Sequence, residues 1–337
     1  MTVDFATTIK EYARLIRLKA MGVSTIAVIG ALSIKGTLEL QDFFILFFMG
    51  VLFNILGFVL NDYIDFNIDK QSEELSNRPL VKGTISRRIA LIISILCYVL
   101  LFSIALIFYR NFLPLLFLTI SLLLGTIYDI FGKKFIGSDI PLSASIAFFC
   151  LFGAATVSQN IGLLPVLLSA IYFTHVLFFN IIEGGFKDAD NDKLSGAKTT
   201  ASLMGVKNRP QVYVPRGFKG LAMVIEFTSA LLIIISIIFI LKSSQFEYWY
   251  IQMIILVILI ISIFITSTKM LSIEKFDRKK VAITITKQEV KRYMTIPIIL
   301  FGIVDIYWLI IILLLPTIWY FTYTIIFHEK PFKSKML

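Results

Sequence analysis

Three oxygen-bearing side chains recur four residues apart in Asn61-Asp62-Tyr63-Ile64-Asp65-Phe66-Asn67-Ile68-Asp69-Lys70. On a helix Asn61, Asp65 and Asp69 fall on one face, a turn apart, and Asn54 lies on nearly the same stripe two turns back. Like charges at this spacing destabilise a helix, so the stack calls for a cation. Carboxylate and amide oxygens suit a hard ion such as Mg²⁺, which keeps waters and takes one or two protein carboxylates plus substrate phosphate. A second run, Glu183-Gly184-Gly185-Phe186-Lys187-Asp188-Ala189-Asp190-Asn191-Asp192, repeats the spacing at Asp188 and Asp192. Basic residues trail both runs: Arg78 and Lys82 after the first, Lys198 after the second. Two such carboxylate pairs with Arg and Lys describe a diphosphate site, where metals and cations stabilise charge on the leaving group. Between them, Tyr128-Asp129-Ile130-Phe131-Gly132-Lys133-Lys134 adds a phenol and an ammonium. Taken alone, these two are ordinary membrane-interface anchors.

The elements that must hold these groups are membrane helices. Of 337 residues, 58% are apolar and only 16% charged, and the mean hydropathy is +0.86. That excess cannot be hidden in one soluble core. Lipid-facing backbone must be paired internally, and the apolar runs are too long and unalternating for barrel strands. We expect an all-α protein with about nine spans, near 19–35, 43–60, 89–108, 112–128, 139–158, 163–182, 220–241, 247–266 and 297–325. With the N-terminus inside, 26 of the 32 Lys and Arg fall in inner segments, as the positive-inside rule requires. The net charge of +10 therefore marks orientation rather than nucleic acid. Both acidic runs follow spans of the same direction. They lie on the cytoplasmic side, in loops about 61–88, 128–138 and 183–219 of a single domain covering residues 1–337. The pattern of span, paired Asp and trailing base occurs twice. It suggests two four-helix units around a central cavity, plus one extra helix.

At these residues the chain resembles the UbiA family of membrane prenyltransferases. The resemblance rests on Asn61-Asp62-x-x-Asp65-x-x-x-Asp69, on Asn77-Arg78-Pro79 with Gly83-x-Ile85-Ser86, on Tyr128 and Lys133, and on Asp188-x-x-x-Asp192-x-x-x-Gly196-x-x-Thr199. It covers roughly residues 10–325. It implies transfer of an isoprenyl group from its diphosphate to a lipophilic acceptor, with two Mg²⁺ ions held by the acidic loops. It further implies metal–diphosphate binding by Asn61, Asp65, Asp69, Asp188 and Asp192. Arg78 and Lys133 would contact the diphosphate, with Tyr128 beside the reacting carbon. Position adds Asn54 and Lys198 as substrate-binding candidates. Many relatives carry a further acid three residues before the second pair. This chain has Gly185 there and an acid at Glu183 instead.

Acceptors of four kinds stay open: an archaeal-type isoprenoid glycerol phosphate lipid, an aromatic quinone precursor, haem or a chlorophyll precursor, with the composition favouring the first two. The Ile- and Lys-rich composition leans toward a prokaryotic cell membrane. A terpene cyclase of the same superfamily stays open. A transporter would place its charges near the bilayer midplane on broken helices, whereas these acids cluster at span ends. A phosphatidyl-alcohol transferase would carry an Asp-Gly…Ala-Arg signature that is missing. Ionisable residues inside spans are functional candidates by default. Here they are His175, Glu226 (expected to snorkel inward) and Asp305, expected deep in the ninth span. Gly50 and Gly57 are read as close-packing positions. Cys97 and Cys150 read as buried small hydrophobes. The mixed-charge stretch Glu274–Arg292 is expected to be an interfacial helix without a site.

Overall fold

The computed structural model describes residues 5–19, 22–70, 75–132, 134–208, 211–243 and 249–327. Helix α1 (Phe5–Leu15) precedes a 3₁₀ turn, Gly22–Thr25, that leads into α2 (Ile26–Lys35). Then come α3 (Leu40–Ile64), the short α4 (Phe66–Asp69) and α5 (Pro79–Lys82), α6 (Arg87–Phe108), α7 (Phe112–Phe131) and α8 (Asp139–Val157). Helix α9 (Leu163–Leu177) passes through a π-helical turn, Phe178–Gly184, into α10 (Gly185–Leu194), forming one rod. The chain continues through α11 (Thr200–Leu203), α12 (Arg216–Ser243), α13 (Trp249–Met270), α14 (Arg278–Leu300) and α15 (Ile306–Ile326). Among the described residues no strand forms. Among the described residues eight helices are long and apolar enough to cross a membrane. Gly22–Lys35 is apolar but shorter.

The C-terminal third departs from expectation. The stretch 297–325 is not one span, because α14 ends at Leu300 and α15 begins at Ile306. The turn between them packs on the end of α2, where Asp305 N donates to Gly36 O at 2.9 Å. At the other end of α15, Lys10 Nζ donates to Phe327 O at 3.2 Å, and the Trp319 indole reaches Leu18 O at 2.5 Å. Helices α14 and α15 are thus a hairpin, and α15 returns to the face of α1. The mixed-charge stretch 274–292 is mostly the first part of α14, packed on α12 and α13 rather than lying at an interface. Its charges hid it: half its length is polar, and the polar groups pair within the protein. Asp305 is exposed in the hairpin turn, not deep in a span.

Close backbone approach sets the centre of the bundle. A Cβ on Gly30 of α2 would lie 2.0 Å from Cys150 O of α8, and one on Gly153 would lie 1.9 Å from Ala27 O. Only glycine allows these two helices to meet, as small residues do generally between membrane helices. Gly50 packs on Ser24 in the same way, whereas Gly57 has no neighbour within 4 Å. Cys97 and Cys150 are buried free thiols. Phe53, Phe149 and Phe152 stack in the same core, with the first two ring centroids 4.1 Å apart.

Candidate active site

The first acidic group stands at the end of α3. Asp65 terminates α3 and begins α4, yet Asp65 N still bonds Asn61 O and Asp69 N still bonds Asp65 O, both at 2.9 Å. The expected stripe of Asn61, Asp65 and Asp69 therefore survives the break. Asp65 and Asp69 are buried. Asn54 is also buried, farther down α3 in the apolar core. Arg78 begins the turn into α5, where Pro79 supplies the preset first helical position. Its guanidinium spans the group, donating to Asp62 at 3.0 Å and to Asp69. Arg17 donates to the same Asp62 oxygen at 3.0 Å and lies over the Phe58 ring. Burial lowers the Arg17 pKa, and the Asp62 charge opposes that shift. Helix α1 pins the loop carrying Arg78: Arg14 donates to Asn77 O at 2.9 Å, and Thr84 to Glu11 at 3.2 Å. Asp62 is the hub of this group. Its position beside Asn61 was readable, but its pairing with two distant arginines was not.

The second group lies on α10. A π-helical turn adds a residue per turn and so rotates the helix beyond it. On that rotated stretch, Asp188 accepts from Arg278 Nη2 at 2.6 Å, with Lys187 Nζ 3.5 Å away. Asp192 accepts from Thr199 Oγ1 at 3.0 Å. Asp190 takes a different part: it accepts from Asn208 N at 3.1 Å and fastens the loop after α11. Lys198 is exposed and pairs with neither Asp188 nor Asp192. It lines a surface hollow of about 280 Å³ with Lys193 and Lys207.

Tyr128, near the end of α7, is within electrostatic reach of Asp139, Asp129, Asp65 and Asp192. Its neighbour Asp129 is buried, hydrogen-bonds the Asn61 side chain and faces Asp62 and Asp65. Sequence reasoning passed over Asp129. The adjacency to Tyr128 was the available signal. Lys133 falls outside the described residues. Below α10, Glu183 belongs to a buried polar network. Arg292 donates to Glu226 at 2.6 Å, Ser267 donates to the same Glu226 oxygen at 2.6 Å, and the Gln288 amide, in the orientation that satisfies both its ends, donates to Glu183 at 2.7 Å and accepts from Ser267. Glu226 therefore does not snorkel; it is paired in place. His175 is buried, within electrostatic reach of Arg292.

The donor set suits a hard divalent ion. Asn61, Asp65, Asp69, Asp188 and Asp192 offer only oxygen. An amide that donates through nitrogen to Asp129 keeps its carbonyl oxygen for a cation. Among the described residues no three His, Cys, Asp or Glu side chains gather closely enough to hold a metal by themselves.

A family model for the UbiA prenyltransferase family matches residues 22–272. The chain belongs to that family. Among family members, digeranylgeranylglyceryl phosphate synthase of Pyrococcus furiosus is 30% identical over 165 residues, 48% of this chain and 56% of that protein. 4-Hydroxybenzoate octaprenyltransferase of Yersinia pseudotuberculosis is 28% identical over 162 residues, 48% of this chain and 55% of that protein. The chain thus spans about half the length of these two curated relatives. A solved digeranylgeranylglyceryl phosphate synthase superposes with a TM-score of 0.66 at 20% identity, covering 88% of this chain and 99% of that one. A UbiA homologue from Archaeoglobus fulgidus bound to GPP and Mg²⁺ gives 0.62 at 18%, covering 85% and 99%. These UbiA structures share the helical fold.

Proposed function

We propose that the protein transfers an isoprenyl group from an isoprenyl diphosphate to a lipophilic acceptor in a Mg²⁺-dependent reaction that releases diphosphate. The observation that supports this reading is the stripe of Asn61, Asp65 and Asp69 at the end of α3, with the Arg78 guanidinium on Asp69, in a chain of the UbiA prenyltransferase family. Asn61, Asp65 and Asp69 would hold one ion, and Asp188 and Asp192 another. The ions supply charge neutralisation of the diphosphate as its bond to the allylic carbon breaks. Arg78 adds a fork of donors on the diphosphate oxygens. Lys133 adds a second cation there, and Lys198 and Asn54 are outlying substrate contacts. The face of Tyr128 stabilises positive charge at the allylic carbon. The tail lies in apolar space between helices, and the site opens toward the cytoplasmic face of a prokaryotic cell membrane.

The acceptor is an isoprenoid glycerol phosphate lipid or an aromatic quinone precursor, the two kinds named among the relatives. The test is mass spectrometry of products formed by the purified full chain in nanodiscs. Prenyl diphosphates of several lengths are supplied with Mg²⁺ and each acceptor. A prenylated acceptor is expected. A cyclised hydrocarbon formed without acceptor overturns the transferase reading in favour of a cyclase.

A further inference from the structure

The first acidic group carries two guanidiniums, Arg17 and Arg78, and the second carries one, which comes from a distant part of the chain. In the first group Arg78 follows Asp69 by nine residues in the chain. In the second group the guanidinium on Asp188 is Arg278, ninety residues further on. Three features deliver Arg278 to that point. It is the first residue of α14, and Asp277 caps that helix by accepting from Lys279 N at 2.9 Å and Lys280 N at 3.2 Å. Two residues before Arg278, the Phe276 ring meets the buried Phe186 ring of α10 edge-on, centroids 6.0 Å apart. Deeper in α14, Arg292 is locked to Glu226 of α12. The Arg278 side chain is 21% exposed and Asp188 33%, so the pair sits at the mouth of the site, not in its floor.

Arg278 and a hard divalent ion compete for the negative charge of the one Asp188 carboxylate. When the ion takes the Asp188 charge, the Arg278–Asp188 pair weakens beside a polyanion whose oxygens match the guanidinium's planar fork. We propose that Arg278 is a diphosphate-binding residue and that its pair with Asp188 is the resting arrangement, exchanged when the metal and diphosphate enter together. This rests on the metal–diphosphate reading above. The family match ends at residue 272, so Arg278 lies beyond the matched stretch, on the hairpin of α14 and α15.

The exchange gives two effects of opposite sign, which a mere clamp would not. Calorimetric titration of the full chain in nanodiscs with Mg²⁺ alone should show R278Q binding the ion several-fold tighter, because the competing guanidinium is gone. Titration with an unreactive prenyl thiolodiphosphate at saturating Mg²⁺ should show R278Q binding about tenfold weaker. R278K, which keeps the charge without the fork, should leave Mg²⁺ affinity within about twofold and still weaken the analogue about threefold. Equal weakening of both ligands, or no change in either, overturns the proposal. R278K decides by the same pair of titrations if R278Q does not fold. Wild-type protein that binds neither ligand would instead sink the metal–diphosphate reading itself.

Discussion

Asp65 and Asp188 are the residues on which the proposed chemistry most depends. Replacing either carboxylate by its amide keeps the shape and removes the charge. D65N and D188N should each lower prenyl transfer at least about a hundredfold, with unchanged expression and thermal unfolding. Near-normal turnover in both would refute the site. Asp62 should behave differently. It sits under Arg17 and Arg78, so D62N leaves two guanidiniums short of their shared partner. We expect a loss of about 3 kcal/mol in stability, seen as a lower unfolding midpoint, together with weaker binding of the prenyl diphosphate analogue. At this scale the acids were legible because spacing alone puts them on one face. Asp129 and Arg278 were not: nothing in their local sequence says which distant carboxylate or amide they will meet.

At the scale of elements, the rod formed by α9 and α10 and the helix α14 form one frame. The Glu226–Arg292 pair fastens α14 to α12 in a region where both side chains are almost wholly buried. Breaking a buried pair by removing one partner leaves an uncompensated charge and costs about 3–5 kcal/mol. R292M should therefore destabilise strongly, while E226Q/R292M should recover most of the loss. Denaturation followed by near-UV circular dichroism would show it, and equal loss in single and double variants would contradict the pairing. The contact of α2 with α8 depends on shape instead. A side chain at position 153 has nowhere to go, since even its Cβ would strike Ala27 O. G153V should cost at least about 3 kcal/mol, whereas Gly57→Ala, with open space around it, should be tolerated. Apolar periodicity revealed that these helices exist. It did not distinguish Gly153 from Gly57, because the distinction lies in which backbone comes close.

Over the whole molecule, the path of the C-terminal hairpin decides sidedness. Lys10 meets Phe327 and Arg14 meets Asn77, so α1, the loop after the first acidic group and the end of α15 share one face; the four spans between the acidic groups predict the same face for the second. Single cysteines placed at Asn67, Lys198 and Phe327 in a C97A/C150A background should all react with an impermeant maleimide from one side of sealed vesicles. A cysteine at Arg110 should react only from the other. A single span over 297–325 would move position 327 to the side of Arg110.

Composition, span length and the spacing of Asp and Asn by themselves determined a helical membrane protein with two oxygen-rich groups on one side. These are local properties: hydrophobic length measures a bilayer, and a four-residue repeat measures a helical turn. The tertiary structure decided what each charge pairs with. It put Arg278 on Asp188, Arg292 on Glu226 and Asp190 on the Asn208 backbone, and it made a charged segment part of a packed helix. The physical reason is that burial of a charge is tolerable only beside its partner, and that partner can come from any point in the chain that the packed helices bring near.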